Sequence, residues 1–408
     1  MRADATVWVQ KFGGTSVADA GLIRDAAERI ETRRSAGHHV VVVVSAMGDT
    51  TDRLLAIARQ VSDHPPRREL DVLLSAGEIQ SMALLAIALE RRGIDAISFT
   101  GAQGGVFTDD HHSQARITKI ATERVEAELE RGRVVVLAGF QGVTHDDHVT
   151  TLGRGGSDTS AVAMAAALGA KCCEILTDVP GVFTADPRVV PTARLLDEIT
   201  YDEMLEMATF GARVLHNRAV DLAARYRVPL IVGPAHGDAP GTRVVAREKA
   251  KAMEAPVVRA ITEDPSVQKI SFLEVPDRPG IAAQVFALLG GRGIPLRLIV
   301  QAQSHAGHND ITFVAPSEIE VPDELLDDVV RTVGGRTTLR DPNVGLLSVV
   351  GDGIAGAPGM VGRIFQVLAD AEINIDLISS SNLVITCCVP QAQLQRGARA
   401  LHAALIES

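Results

Sequence analysis

The sequence predicts a layered α/β fold for roughly the first 240 residues and two small α+β modules after them. In the first part, apolar strands alternate with helices, and one strand, Val40–Val44, consists entirely of valine. Polar glycine-rich loops follow several of these strands, and open α/β sheets bind their ligands at such strand ends. Residues 278–286 resemble residues 357–365, which indicates that a module is repeated near the end of the chain.

The composition excludes several classes of protein. The 408 residues carry a net charge of −11, which argues against nucleic acid as the main partner. The four cysteines form two adjacent pairs, Cys172–Cys173 and Cys387–Cys388, whose side chains point to opposite faces of a strand, so we expect reduced thiols. The first ten residues do not resemble a signal peptide, and no run reaches about 18 apolar residues. We therefore expect a soluble cytoplasmic protein that does not bind membranes.

Hydrophobic periodicity and turn residues predict the elements of the first part. The predicted strands are Thr6–Phe12, Val40–Val44, Ile94–Thr100, Val134–Phe140, Glu174–Asp178 and Pro229–Val232. The predicted helices are Ala18–Arg34, Asp71–Arg92, Ala115–Glu130, Asp202–Phe210 and Leu215–Tyr226. The His-Asp-Asp-His sequence at 145–148 is expected to be an exposed hairpin tip rather than a metal site.

The stretch Thr150–Ala170 contains three glycines and an arginine directly before an alanine-rich helix, for which Ser157 or Asp158 is the expected N-cap. Glycines at the start of a helix expose backbone N–H groups and allow an anion to approach closely. The Arg154 guanidinium adds a planar fork for a carboxylate or a phosphate. A tight connection would use the same residues, so this stretch alone does not decide between a turn and a site.

We expect residues 1–247 to form the first domain and residues 248–256 a charged linker. Each repeated unit has the pattern of a βαββαβ module. The second unit has no room for its last strand, so we predict that Val257–Thr262 supplies it. The first module, 263–341, would then be inserted into the second, which comprises 257–262 and 344–408.

Six motifs of this chain resemble those of the aspartate kinases, in the same order, and the repeated modules resemble that family's paired ACT modules. The motifs are KFGGTSV (11–17), SAMGDTTD (45–52), LLSAGE (73–78), AGFQGVT (138–144), TTLGRGGSDTSA (150–161) and TDVPGVFTADPR (177–188). The resemblance implies a three-layer αβα amino-acid-kinase domain with a mainly parallel sheet, followed by two βαββαβ ACT modules. It also implies that ATP phosphorylates the side-chain carboxylate of L-aspartate to give 4-phospho-L-aspartate.

The residue types suit that reaction. An aspartate carboxylate, with a free pKa of about 3.9, is already ionised at neutral pH and needs no general base. An anion that attacks a polyanion needs charge neutralisation instead. The sequence lacks the G-x-x-x-x-G-K-[ST] P-loop, the protein-kinase motifs and the dinucleotide-binding fingerprint.

The resemblance also implies roles for individual residues. The catalytic residues are Lys11, Asp158 and Arg154. The residues expected to bind aspartate are Ser45, Thr51, Glu78, Arg154, Gly155, Gly156 and Ser157. The residues expected to bind ATP are Lys11, Gly13, Gly14, Ser16, Thr177, Asp178, Phe183, Asp186 and Arg188. Mg²⁺ is expected to arrive with ATP, held by phosphate oxygens and water, so no metal ligands are assigned.

The first ACT module departs from the family pattern. Where the family commonly has an asparagine and an aspartate, this chain has Pro295 and Arg297. Because Arg297 would repel the ammonium of a lysine or threonine effector, one hypothesis is weak or absent feedback. The alternative is a changed effector with control intact.

Other readings stay open at this point. We expect a homo-oligomer, or an α2β2 assembly if an internal start at Met253 yields a separate small subunit. The alternatives to aspartate kinase are another amino-acid-kinase family member and an amino-acid-sensing ACT protein. Both are less consistent with the full set of motifs.

Overall fold

The computed structural model describes residues 6–212, 214–237, 239–247, 258–305 and 307–407. They form two compact units. The first contains the described residues of 1–182, 195–208 and 213–253, and the second those of 183–194, 209–212 and 254–408. The predicted linker 248–256 and Met253 lie outside the described residues.

The first unit is built on a mixed, mainly parallel sheet of eight strands. Their spatial order is β10 (Glu198–Thr200), β12 (Thr242–Val245), β11 (Leu230–Pro234), β9 (Cys172–Thr177), β1 (Val7–Phe12), β2 (His39–Val44), β6 (Val134–Ala138) and β3 (Ala96–Phe99). Only the β11–β12 pair is antiparallel. The hydrophobic β1 and β2 occupy the middle of the sheet because both of their faces are covered.

Helices cover both faces of this sheet. The buried side chains of α1 (Ala20–Ser35) and α3 (Arg67–Arg91) pack against Phe12 and the alternate valines of β2. On the other face, α5 (Gly156–Ala167) contacts β1, β2 and β9, and α7 (Asn217–Tyr226) packs on α5. Because neighbouring residues of a strand face opposite sides, Phe12 enters the α1 core while Lys11 faces α5. The predicted three-layer αβα architecture is confirmed.

The remaining elements of the first unit include a small sheet with the strand order β5 (Ile117–Ile120), β4 (Val106–Thr108), β7 (Gln141–Val143) and β8 (Val149–Thr151). The other helices are α2 (Thr50–Val61), α4 (Glu123–Glu130) and α6 (Tyr201–Thr209). The turn at 145–148 joins β7 to β8 and is largely exposed, as predicted.

Two predictions for this unit are wrong. Ala115–Glu130 is not one helix, because Ile117–Ile120 pairs with β4 before α4 begins. The N-cap of α5 is neither Ser157 nor Asp158 but Gly155, whose left-handed backbone (φ 68°) turns the chain into the helix one residue earlier.

Helix α3 meets the length and composition of a membrane span, with a mean hydropathy of 1.8 over 18 residues. The helix nevertheless buries Leu74, Leu85 and Leu89 on one side together with the polar Asp71 and Glu78. This pattern is typical of a core helix, because buried carboxylates need partners inside the protein.

The second unit contains two four-stranded modules. The sheet of the first module has the strand order β15 (Leu298–His305), β16 (His308–Pro316), β14 (Val267–Pro276) and β17 (Thr337–Asp341), and its helices are α8 (Ile281–Gly291) and α9 (Asp323–Val333). The sheet of the second module has the strand order β13 (Ala260–Asp264), β18 (Val344–Val350), β20 (Val384–Pro390) and β19 (Leu377–Ser380), and its helices are α10 (Met360–Asp370) and α11 (Leu394–Leu405). The edge strand β13 precedes the whole first module in the sequence and pairs with β18.

Candidate functional site

The central residues of the candidate site meet where four neighbouring parallel strands end. Lys11 Nζ lies 2.7 Å from Asp158 Oδ1, and each side chain is only 12% exposed. Lys11 is the penultimate residue of β1, and Asp158 lies in the first turn of α5. An ion pair this sheltered is screened weakly by water, so the ammonium is held in one place. The strands that end here are β1, β2, β6 and β9.

A glycine turn follows β1. The Gly13 N–H donates to the Leu176 carbonyl at 3.2 Å, and a Cβ at position 14 would lie 2.7 Å from the Ala46 carbonyl oxygen. Glycine is therefore required at position 14 because the two loops touch there. The Ser16 hydroxyl is buried and has no partner among the described residues. An orphaned hydroxyl beside Gly13 and Lys11 fits an anionic group that is absent from the structure.

Glu78 is a buried carboxylate on α3. Its Oε1 accepts a hydrogen bond from the Ala46 N–H at 3.0 Å, whereas Oε2 is buried without a partner among the described residues. Burial raises the pKa of Glu78 to about 7, although the hydrogen bond from Ala46 opposes this shift. A carboxylate with an unused buried oxygen is suited to receive a cation.

Two hydroxyl residues predicted to bind substrate lie on the same loop system. The Ser45 N–H donates to the Phe12 carbonyl at 3.1 Å and joins the ends of β2 and β1. Thr51 lies in the first turn of α2, directly after this loop. Since Ala46 also binds Glu78, the segment 45–51 connects the Lys11 region to the buried carboxylate.

The loop before α5 is closely packed. Gly155 has a left-handed backbone, and a Cβ there would lie 2.2 Å from the His216 Cγ. A Cβ on Gly156 would lie 2.9 Å from the Phe140 ring. Ser157 is buried, and Arg154 is exposed on the same turn. The glycines are therefore required for the close packing of the turn that leads into the helix of Asp158.

Sequence reasoning missed two supporting residues. Asp71 is fully buried on α3 and accepts hydrogen bonds from the Thr151 hydroxyl at 2.6 Å and the Ser113 N–H at 3.0 Å. Arg218 donates to the Leu152 and Ala115 carbonyls, both at 2.7 Å. Both residues hold the start of the glycine-arginine loop. A carboxylate within the apolar sequence of α3, two turns before Glu78, was a usable signal for Asp71, whereas nothing in the sequence marked Arg218.

The residues predicted to bind nucleotide are divided between the units. Thr177 and Asp178 follow β9 in the first unit, and the Thr177 hydroxyl donates to Asp178 Oδ1 at 3.1 Å. Phe183, Asp186 and Arg188 belong to the second unit, where Arg188 and Asp186 form an ion pair at 2.7 Å. The hydrogen bond from Arg188 lowers the pKa of Asp186.

The described residues contain no group of three or more His, Cys, Asp or Glu side chains arranged for a metal ion. Near Lys11 the described carboxylate is Asp158, already ion-paired. These donors fit a metal that is carried by phosphate oxygens and water rather than held in a protein cage.

Comparisons with known proteins identify the family. The model for the amino acid kinase family matches residues 6–234, and two ACT domain models match residues 270–335 and 347–405. Aspartokinase from Mycobacterium tuberculosis H37Rv is 47% identical over 400 residues, which cover 97% of this chain and 95% of the relative. The chain belongs to the aspartokinase family.

Other relatives agree with this family. Aspartokinase from Pseudomonas aeruginosa is 44% identical over 397 residues, which cover 97% of this chain and 96% of that protein. The crystal structure of E. coli aspartokinase III, in complex with aspartate and ADP, superposes with a TM-score of 0.85 at 27% identity and covers 98% of this chain and 99% of its own.

The packing around Gly155 leads to a test of the aspartokinase loop. Gly155→Ala should lower the free energy of unfolding by more than Gly169→Ala. Both glycines have positive φ, which costs a non-glycine residue about 1–2 kcal/mol, but nothing lies within 4 Å of a Cβ at Gly169. Denaturant unfolding of both variants measures the difference. Equal losses would show that the His216 contact imposes no constraint.

Proposed function

We propose that this protein transfers the γ-phosphoryl group of ATP to the side-chain carboxylate of L-aspartate, which yields 4-phospho-L-aspartate. The sheltered Lys11–Asp158 pair at the ends of the central strands is the observation that supports this function best. The buried Glu78 carboxylate on α3, which accepts a hydrogen bond from Ala46 of the loop after β2, provides a place for the ammonium group of an amino acid. A phosphoryl-transfer site needs fixed positive charge, and an amino-acid substrate needs a negative partner.

Lys11 is the group proposed to stabilise the reaction. The aspartate carboxylate oxygen attacks the γ-phosphorus while the bond from that phosphorus to the β,γ-bridging oxygen breaks and ADP leaves. Negative charge accumulates on the phosphoryl oxygens in the transition state, and the Lys11 ammonium can neutralise it. Asp158 orients Lys11 through their 2.7 Å contact. No proton has to be removed from the nucleophile, because the carboxylate is already ionised.

Backbone and hydroxyl groups complete the nucleotide part of the proposal. The Gly14 N–H group and the unpartnered Ser16 hydroxyl are assigned to the phosphates. Gly13, whose N–H donates to the Leu176 carbonyl, is assigned to the same site because it has no side chain to keep the phosphates away. Thr177, Asp178, Phe183, Asp186 and Arg188 are assigned to the rest of ATP. Mg²⁺ bound to ATP would reduce the negative charge of the phosphates.

The aspartate part of the proposal uses the opposite charges of the substrate. Arg154 is assigned to its α-carboxylate, because a guanidinium binds a carboxylate through two parallel hydrogen bonds. Glu78 is assigned to its ammonium group. Hydrogen bonds from Ser45, Thr51, Ser157 and the Gly155 N–H group would fix its orientation. Gly156, whose N–H donates to the Gly153 carbonyl at 2.9 Å, would let the substrate approach the turn closely.

A hydroxamate assay with ATP and L-aspartate tests this function, since hydroxylamine traps an acyl phosphate. Glutamate and other amino acids serve as competing substrates. An amino-acid sensor would produce no hydroxamate, and another amino-acid kinase would prefer a different acceptor.

Lys11→Ala should lower kcat by about 10²–10³, because it removes one charge-stabilising donor from the transition state. The exposed Lys171, just before β9, provides the matched control, and Lys171→Ala should leave kcat within about twofold. Steady-state kinetics at saturating substrates measure both variants. Near-normal turnover in Lys11→Ala would contradict the assigned role.

The raised pKa of Glu78 predicts a pH dependence. Only the carboxylate attracts the substrate ammonium, so kcat/KM for aspartate should rise with pH and level off above about 7. Glu78→Gln should lower kcat/KM and remove this rising limb. Glu69→Gln, an exposed carboxylate on the same helix, should retain it. A limb that persists in Glu78→Gln would assign the titration to another group.

A cavity in the first ACT module is a candidate site for an effector. A cavity of about 360 Å³ in the first ACT module is lined by 275–282, Gln301, Asn309 and Ile311. Arg297 is not among the described residues that line it, because its Nη1 donates to the Thr209 carbonyl at 2.7 Å. An effector bound in this cavity would meet Asp277 and Arg278 rather than the Arg297 guanidinium. Of the two hypotheses, weak feedback and intact control by an amino-acid effector, we propose the second, because this cavity offers the effector a site.

We expect lysine or threonine, singly or together, to inhibit the enzyme at millimolar concentrations. Asp277 lines the cavity and accepts a hydrogen bond from Asn309 at 2.8 Å, and its charge suits an effector ammonium. Asp277→Asn should raise the effector concentration needed for half-inhibition by about tenfold. That factor corresponds to a loss of about 1.4 kcal/mol in the interaction between the effector and the protein. Full activity at millimolar levels of both amino acids would support the weak-feedback hypothesis instead.

The assembly and location of the protein belong to the same proposal. From the family resemblance we infer a homo-oligomer or an α2β2 assembly in which a small subunit starts near Met253. We also infer a cytoplasmic location.

A further inference from the structure

The segment 183–194, called here the nucleotide segment, has two kinds of residue. Thr184, Ala185, Val189 and Val190 are buried, whereas Phe183, Asp186 and Arg188 are partly or fully exposed. The exposed residues are those assigned to ATP above. The buried residues therefore have a structural role, which follows from their contacts within the second unit.

The buried residues of the nucleotide segment belong to the hydrophobic core of the second ACT module. Ala185, Val189 and Val190 share one cluster with Leu347 of β18 and with Leu401 of α11, among other residues. The Ile261 N–H of β13 donates to the Thr184 carbonyl at 2.8 Å. The segment is thus packed as part of this module.

A buried hydrogen-bond chain adds a directional contact. Thr184 Oγ1 lies 2.8 Å from His402 Nε2, and His402 Nδ1 lies 2.7 Å from Glu407 Oε1. His402 is fully buried on α11. An ionised carboxylate only accepts, so Nδ1 carries a proton and donates to Glu407, while Nε2 and the Thr184 hydroxyl share the second hydrogen bond. Thr184 Oγ1 also accepts from the Arg194 N–H at 2.9 Å, which closes the segment on itself.

Two more contacts hold the end of the segment against the residues that follow α11. The Thr192 hydroxyl donates to Glu407 Oε1, the same oxygen that faces His402. The Arg194 Nη2 group donates to the Ile406 carbonyl at 2.9 Å. Both ends of the segment are therefore attached to one short stretch of the second ACT module.

We propose that α11, through the hydrogen bond between His402 and Thr184, positions the nucleotide segment so that Phe183, Asp186 and Arg188 are held ready for ATP. This inference rests on the proposed function. His402 and Thr184 are positioning residues, since their contacts are to each other and to the segment. Holding a loop in its binding conformation before the ligand arrives reduces the entropy cost of binding.

The test compares Thr184→Val and His402→Gln with a matched control, Thr386→Val. Thr386 is equally buried in the same module and shares a hydroxyl–hydroxyl hydrogen bond with Ser348 at 2.8 Å. All variants are made in the full-length chain. Thermal unfolding and KM for both substrates are measured for each one.

We expect Thr184→Val and His402→Gln each to raise KM for ATP by about fivefold, as the loss of one buried hydrogen bond does, with KM for aspartate within about twofold. Thr386→Val should lower the melting temperature comparably without changing KM for ATP. The double variant of Thr184 and His402 should have no larger effect than either single variant, because both remove the same bond.

Two results would overturn the inference. One is an unchanged KM for ATP in both variants while the wild-type protein is active. The other is an equal rise in Thr386→Val, which would reduce the effect to general loosening of the module. A wild-type protein that makes no aspartyl hydroxamate from ATP would overturn the proposed function itself, so the two failures are distinguishable.

Discussion

The contact between Lys11 and Asp158 is the constraint on which the candidate site depends. It joins the end of β1, in the middle of the sheet, to the first turn of α5 on one face. Successive side chains of β1 point to opposite faces of the sheet. Because Phe12 is buried against α1 and α3 on one face, its neighbour Lys11 must point to the other face, toward α5. A positive charge is thereby held at the sheet edge by packing on both faces, with little dependence on the mobility of its own side chain.

Tight backbone approaches surround this contact and account for the glycines. Gly14 meets the Ala46 carbonyl, and Gly155 meets the His216 ring. A side chain at either position would force the two loops apart, so glycine is required at both. Glu78 contacts the same loop through one carboxylate oxygen, which accepts a hydrogen bond from the Ala46 N–H, whereas its other oxygen is buried without a partner among the described residues. A fixed ammonium and a buried carboxylate are thus held by a few rigid elements.

The sequence was sufficient for the layered fold because strand and helix periodicities differ and because the valine-rich strands are buried on both faces. It was less reliable where tertiary contacts override local preference. Ile117–Ile120 is a strand because β4 is available to pair with it. Asp71 and Arg218 escaped notice because their roles are hydrogen bonds to distant loop atoms. The direction of the Arg297 side chain could not be predicted either, because it depends on a hydrogen bond to the Thr209 carbonyl.

The sequence by itself determined the fold class, the aspartate-kinase resemblance and the short motifs that contain Lys11, Glu78, Arg154 and Asp158, since these follow from periodicity and local sequence. Only the tertiary structure decided that Glu78 keeps a buried oxygen without a partner. It alone also showed that His402 binds Thr184 across 218 residues of chain. Hydrogen bonds over such separations depend on how whole elements pack, and no local pattern in the sequence records them.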